Sequence, residues 1–397
     1  MTLAAIDPPR LQGHLRTKQG GMSPAIKTLG VPTEVKTMEG RVSLTPDGVR
    51  EFERLGIDVF VQQGAGEAAN ITDAEYRAAG ADIVPTAADA WAQDMVVKVK
   101  EPKEEEFGFL REDLTLFTYL HLAAYPKVAE ALVKSKCTAV AYETVQLDDG
   151  SLPLLAPMSE IAGRLATQAG ARFLERPQGG RGVLMGGAPG VRPAKVVVIG
   201  AGNVGYNAAW IAAGMLAEVT ILDKNLDRLR FIDQISVGRT TTLASNRGSI
   251  ERSLLEADLV VGAVLVAGAR APVVVSEDMV KSMKPGSVIV DVAIDQGGCI
   301  ATSRETSHKE PVYEQHGVIH YAVGNMPGAV PNTSTYALTN ATLPYQLEIA
   351  THGVRDAARR NGAIALGVNT VSGMVTYEPV ARDLGYEFVE PVIALGA

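Results

Sequence analysis

Cysteine is scarce: two residues in 397, Cys137 and Cys299, with no CxxC pair. That excludes a disulfide framework and a structural zinc site, and fits the reducing cytoplasm. No basic tract occurs and the formal net charge is −8, which excludes nucleic acid as a partner. No apolar run reaches the ~18 residues that span a membrane. Residues 1–26 lack the apolar stretch of a secretory signal. They are polar, with Pro8, Pro9, Gly13, Gly20 and Gly21, and read as a disordered extension with Met22 an alternative start. What remains is ample core material, 46% hydrophobic, enough for two or three domains.

Strand and helix patterns alternate almost throughout, which implies parallel sheets covered by helices on both faces. Strands are expected at 28–32, 58–62, 95–99, 115–120, 138–141, 195–199, 218–222, 258–263, 287–292 and 318–323. Thr45-Pro46 opens one helix with a capping hydroxyl and a first-turn proline. Thr72 and Gly80 bracket another over 73–79. A long helical pattern after residue 332 is interrupted at Pro344 and is too short to form a domain. The fold expected is α/β: two doubly wound Rossmann-like domains with a cleft between them, the first discontinuous. Its domains are 27–153 plus 332–397 for substrate and catalysis, and 154–331 for a nucleotide.

The nucleotide assignment rests on 196–223, VVVIGAGNVGYNAAWIAAGMLAEVTILD. An apolar strand runs into Gly200-x-Gly202-x-x-Gly205, and Asn203 and Val204 open an apolar helix. The first glycine makes the tight turn, the second lets backbone approach a pyrophosphate, and the third lets helix pack on strand. The helix N-terminus offers unpaired N–H groups to the phosphates. A second strand ends in Asp223, 18 residues after Gly205, close to the roughly 20 expected of the ribose-binding acid. Its charge repels a 2′-phosphate, so the cofactor expected is NAD.

Ligands of open α/β sheets bind beyond the carboxyl ends of the strands. Polar residues at those ends form a coherent set: Arg41, Lys100, His121, Asp223, Asp295 and Asn325. Arginine grips a carboxylate through two parallel hydrogen bonds, and lysine adds a point charge. Histidine exchanges protons near neutral pH, and a carboxylate orients water or takes a proton from an amine. A small amino or hydroxy acid suits this set. Each residue has a plainer reading: a core histidine for His121, a solvated charge in VKVKEPKEEE for Lys100, a surface ion network with Glu34, Lys36 and Glu39 for Arg41. Glu348 and His352, at i and i+4, fit a surface pair or helix cap better than a shared metal.

Several longer segments resemble bacterial alanine dehydrogenases: GVPTEVKTMEGRVSLTP (30–46), VKVKEP (97–102), HLAA (121–124), AYETVQ (141–146), LPLLAPMSEIAGRLA (152–166), QGGRGVLMGGAPGV (178–191), DVAIDQGG (291–298) and NMPGAVPNTSTYALTN (325–340). The likeness covers roughly residues 28–397. It implies Arg41 and Lys100 on the substrate, with His121 and Asp295 as the acid/base pair. It also implies NAD contacts at Ser159, Asn203, Val204, Asp223, Arg228, Ser245, Val264, Leu265, Val292, Ala293, Ile294, Asp295, Arg304, Val323, Gly324, Asn325 and Met326. Position 228 carries lysine in family members. A homo-hexamer and a magnesium ion near Glu348 and His352 belong to the same resemblance. The reaction implied is NAD-dependent interconversion of L-alanine with pyruvate and ammonia, with glyoxylate amination as a side activity. Competing readings are a transhydrogenase α-subunit, which would want a membrane partner and a second nucleotide site, and an NAD sensor without turnover.

Overall fold

A computed structural model of the chain describes residues 24–264 and 271–396. Residues 1–23, most of the expected extension, and Leu265, an expected cofactor contact, lie outside the described residues. Among the described residues no helix is long and apolar enough to cross a membrane.

Short apolar runs between helices build two sheets. The first contains β1 (Thr28–Val31), β2 (Asp58–Gln62), β3 (Asp82–Val84), β4 (Met95–Val97), β5 (Thr115–Thr118) and β6 (Thr138–Ala141), parallel in the order β3-β2-β1-β4-β5-β6. The second contains β7 (Lys195–Ile199), β8 (Glu218–Asp223), β9 (Thr240–Ala244), β10 (Leu259–Gly262), β11 (Val288–Asp291), β12 (Val312–Gln315) and β13 (Val318–Tyr321). Its order is β9-β8-β7-β10-β11-β13-β12, with β12 antiparallel at the edge. Strand order therefore reverses at β1/β4 in one sheet and at β7/β10 in the other, and ligand crevices form at such reversals.

The C-terminal segment returns to the first sheet. β14 (Val368–Val371) pairs antiparallel with β6, and β15 (Met374–Val375) pairs with β14. Leu338, Ile349 and Ile364 enter the same core as Leu29, Phe52, Val59 and Phe117. The nucleotide-side core is separate, built on Val196, Val198, Ala208, Ala212, Ile221 and Val261.

The strands expected from sequence appear, most of them shorter by a residue or two. β3, β9, β12, β14 and β15 carry no such expectation. β3, β9, β12 and β15 are edge strands, too short or too exposed to show the continuous apolar run of a buried parallel strand. The long helix is also corrected. It runs Pro331–Arg360 straight through Pro344, and its non-helical residue is Gly353, at φ 74 and ψ 157. Ala25 and Ile26 donate their N–H groups to the carbonyls of Thr351 and Ala350 at 3.1 and 3.0 Å beside that break. They are ordered, although the expected extension reaches residue 26. Backbone polar groups at a helix break need such partners.

Two glycines fix how helices seat on the nucleotide sheet. A side chain at Gly205 would collide with the Gly200 carbonyl, and one at Gly163 with the Val204 carbonyl. The second contact lets the helix Ala156–Phe173 lie against the helix Asn203–Gly214. Gly163→Ala should lower stability by about 1–3 kcal/mol through overpacking, read by denaturant unfolding. Gly214→Ala, with nothing within 4 Å of its added carbon, should be neutral or slightly stabilising.

Candidate active site

The loop leaving β1 carries a buried ion pair into the cleft. Arg41 is 2% exposed and Glu39 8%, so neither belongs to a surface network. Glu39 Oε1 accepts from Arg41 Nε at 2.6 Å, and its Oε2 accepts from Nη2. Arg41 Nη2 also donates to Asn325 Oδ1 at 2.9 Å, and Nη1 lies 3.0 Å from the Met158 sulfur. Glu39 thus occupies the arginine fork. The two-bond grip expected for a substrate carboxylate is already taken, and Nη1 is the side left for it. Burial alone would push the Glu39 carboxyl up, but hydrogen bonds and charge from Arg41, with charge from Lys100, bring it below the ordinary range.

Asn325 joins the two domains. Its Nδ2 donates to Glu39 at 3.1 Å, and its backbone N–H donates to Asp295 Oδ1 at 3.1 Å. Its φ of 55 is left-handed, a conformation that non-glycine residues hold where surrounding structure enforces it. Asp295 sits on the turn Val292–Gln296 that follows β11. A side chain at Gly324 would collide with Glu305 and approach Asp295 Oδ1 to 3.2 Å.

On the substrate side, Lys100 and His121 flank one ring. Lys100 Nζ lies 5.8 Å from the Tyr119 centroid, and the His121 ring stacks on Tyr119 at 5.7 Å. Tyr119 is fixed by donating to the Leu154 carbonyl at 2.6 Å. His121 also has a left-handed backbone, φ 47. Glu143 holds it there, accepting the His121 N–H at 2.5 Å and the Leu120 N–H at 3.2 Å, with Oε1 3.5 Å from His121 Nδ1. Glu34 accepts the N–H groups of Val99 and Lys100 at 2.6 and 3.3 Å and pairs with buried Lys98 at 3.4 Å. Burial, with Arg41 and Lys36 nearby, lowers the Lys100 ammonium to about 8.

The nucleotide crevice opens at β7/β10. Gly200 has φ 106, and any side chain there would collide with the Ala263 carbonyl next to Val264. Gly202 faces open space, its nearest neighbour being Arg228 Nη1 at 3.9 Å from an added carbon. Asp223 accepts from Ala201 N–H at 2.6 Å and Asn225 N–H at 2.7 Å, with Arg228 4.0 Å away. The Ser245 N–H donates to the Asp223 carbonyl at 2.9 Å. Ser159 lies in the first turn of its helix, next to Met158. Arg304 lies 4.0 Å over the Tyr313 ring, and Val323–Met326 follow β13. This crevice fits a dinucleotide: a glycine turn free of side chains, a helix N-terminus behind it, and an acid at the ribose position.

The proposed metal residues stand apart from this cleft. Glu348 accepts from Asn361 at 3.0 Å. With His352 it lines an open hollow of about 380 Å³ that also holds Arg54 and Arg360. Glu51 lines the same hollow, but among the described residues no group of three or more His, Cys, Asp or Glu is placed to hold a metal ion. Magnesium wants near-octahedral oxygen ligands, and this donor set does not fit it.

Glu39, Glu143, Glu34 and Tyr119 were not singled out from sequence. Glu34 and Glu143 stand just beyond β1 and β6, so the strand-end rule reaches both. Nothing in the sequence separates Glu39 from its charged neighbours.

Comparison with known proteins settles the lineage. Residues 30–162 match the N-terminal domain model of alanine dehydrogenase/PNT, and 166–378 match the C-terminal one. The chain belongs to the alanine dehydrogenase/PNT family. It is 56% identical to the alanine dehydrogenase of Mycobacterium tuberculosis, over 92% of this chain and 99% of that one. Against the Bacillus subtilis alanine dehydrogenase the figures are 54%, 92% and 97%. A solved L-alanine dehydrogenase superposes with a TM-score of 0.88 at 50% identity, covering 90% of this chain and 99% of that one. A transhydrogenase from Sinorhizobium meliloti shares the family fold, at a TM-score of 0.76 and 24% identity, covering 88% and 99%.

The lowered Lys100 value gives a pH prediction. The ammonium is charged below about 8 and neutral above it, so its attraction for a carboxylate is present below that pH and lost above. KM for an anionic 2-oxo acid should rise as pH passes 8. Lys100→Arg, permanently charged, should flatten that dependence even if its overall affinity changes.

Proposed function

We propose that the chain catalyses NAD-dependent oxidative deamination of L-alanine to pyruvate and ammonia, and the reverse reductive amination. The observation that carries this reading is the convergence of Arg41, Lys100, His121 and Asp295 at facing sheet crevices, linked through Tyr119 and Asn325. The working unit is a cytoplasmic homo-hexamer, with domains at 27–153 plus 332–397 and at 154–331, and glyoxylate is a side substrate.

The substrate carboxylate meets Arg41 Nη1 and Lys100. Nicotinamide, when bound, accepts the hydride from the α-carbon. The Gly200–Gly205 turn, Asp223 and the turns Val292–Asp295 and Val323–Met326 would hold the dinucleotide. Loss of hydride and an amine proton leaves iminopyruvate. Water then adds to the imine carbon, and ammonia departs as the carbonyl forms. His121 and Asp295 shuttle the protons of these steps. Glu143 Oε1 lies 3.5 Å from Nδ1, and Nε2 is the ring nitrogen left for the substrate. Domain closure, through the Asn325 contacts to both sides, keeps bulk water from the imine until hydration is due.

The decisive experiment is NADH formation with L-alanine, alongside a panel of small 2-oxo acids with ammonia and NADH or NADPH. His121→Ala should lose most turnover, by roughly 10²–10⁴-fold for a lost general acid/base. Near-normal activity would remove His121 from the mechanism. Arg41→Lys should raise KM for pyruvate, because it also strips Glu39 and Asn325 of their partner; an unchanged KM contradicts the assignment.

A further inference from the structure

The turn that carries Asp295 is closed by a second, buried acid. Asp291 ends β11 and is 1% exposed. Its Oδ1 accepts from the Ala293 N–H at 3.2 Å and lies 3.4 Å from the Cys299 sulfur. Its Oδ2 accepts from the N–H groups of Cys299 at 3.0 Å and Ile300 at 3.2 Å. One carboxylate therefore ties the outgoing limb of the loop, at 293, to the returning limb, at 299 and 300. Asp295 stands between those ties.

The surroundings are shaped to admit this contact. A carbon added at Gly298, where φ is 78, would lie 2.9 Å from Asp291 Oδ2. One added at Gly262, on neighbouring β10, would lie 3.2 Å from Oδ1 and 2.6 Å from the Cys299 sulfur. The returning limb is anchored independently, since the Val274 N–H donates to the Cys299 carbonyl at 2.9 Å. The loop also closes on itself, with the Gly298 N–H on the Ala293 carbonyl at 3.0 Å. The outgoing limb leaves β11 directly, the returning limb pairs with residues 274–275, and Asp291 is the side chain that bridges the two. The three N–H donors approach from two sides, and a carboxylate accepts on both oxygens. An amide would turn its NH₂ toward one of those sides and meet N–H with N–H.

We propose that Asp291 is a positioning residue for Asp295: by pinning both limbs of the 292–300 loop it fixes where the Asp295 carboxylate meets the substrate. The proposal rests on Asp295 acting in the reaction. Asp291 itself touches neither substrate nor nicotinamide.

The test uses the full-length enzyme and single-turnover NADH formation from L-alanine. A rate constant measured this way is independent of the fraction of protein that is active, so a merely structural role would lower the amplitude and leave the rate alone. Asp291→Asn should lower the rate constant roughly ten- to hundredfold, the scale of a misplaced catalytic group, with KM for L-alanine within about twofold. Gly298→Ala presses on the same carboxylate from the other side and should reproduce that pattern, which keeps the question open to measurement if Asp291→Asn fails to fold. Rate constants within twofold of the parent in both variants, or losses confined to amplitude, overturn the proposal. Asp295→Asn runs alongside: if it retains the parent rate, the reading of Asp295 fails and the proposal with it. If it loses the rate while Asp291→Asn and Gly298→Ala do not, the proposal alone fails.

Discussion

A buried guanidinium in the cleft governs the rest of this structure. Arg41 is taken out of water on a loop between two domains, and a charge so placed must be paired and hydrogen-bonded. Glu39, two residues earlier, supplies the counter-charge and occupies the fork. Asn325 then contacts both, from the opposite domain. Removing one partner of such a pair costs about 3–5 kcal/mol, mostly because the other is left charged and alone. The guanidinium that links the two sides of the cleft is the one proposed to meet a carboxylate. Asp295 is tied to that arrangement by accepting the Asn325 N–H.

The two sheets repeat one solution. In each, strand order reverses beside the first strand, and the loops at the reversal bear the chemistry. At β1/β4 those loops are polar and bring Glu34, Glu39, Arg41 and Lys100 together. After β7 the turn is nearly bare of side chains, because Gly200 and Gly205 must let backbone approach backbone. One crevice is built to grip charge and the other to admit phosphate. Their complementarity follows from loop composition, since the sheets themselves share a topology.

The sequence made much of this legible because both crevices sit where a periodic signal stops. Apolar strands ending in Lys100, His121, Asp223 or Asp295 expose a polar residue at the place such a fold binds ligands; Lys100 and His121 meet at Tyr119, and Asp295 meets Asn325. What stayed hidden is relational. Whether Glu39 is a surface charge or the partner of a buried arginine depends on Asn325, 286 residues away. The left-handed backbones of His121 and Asn325 carry only a weak signature, since both residue types are enriched in that region yet mostly lie outside it. Pro344 shows the converse. A local rule expects a break there, yet packing of Leu338 and Ile349 into the core carries the helix through. The break falls at Gly353, where an N-terminal strand end can satisfy the opened carbonyls.

The charge balance of the cleft also bears on what it can accept. Lys98 is held between Glu34 and Glu106, and Lys36 and Lys103 share Glu101. Arg41 is neutralised by Glu39. Of the cations near Tyr119, Lys100 is the one whose nearest charged influences after burial are other cations, which is why its proton is loosely held. A single substrate carboxylate relieves that excess and is matched to it. A second carboxylate on a longer side chain would find Glu39, Glu34 and Glu101 already serving the remaining cations. On the function proposed above, preference for a small monocarboxylate would follow from this shortage of unpaired positive charge beside Tyr119.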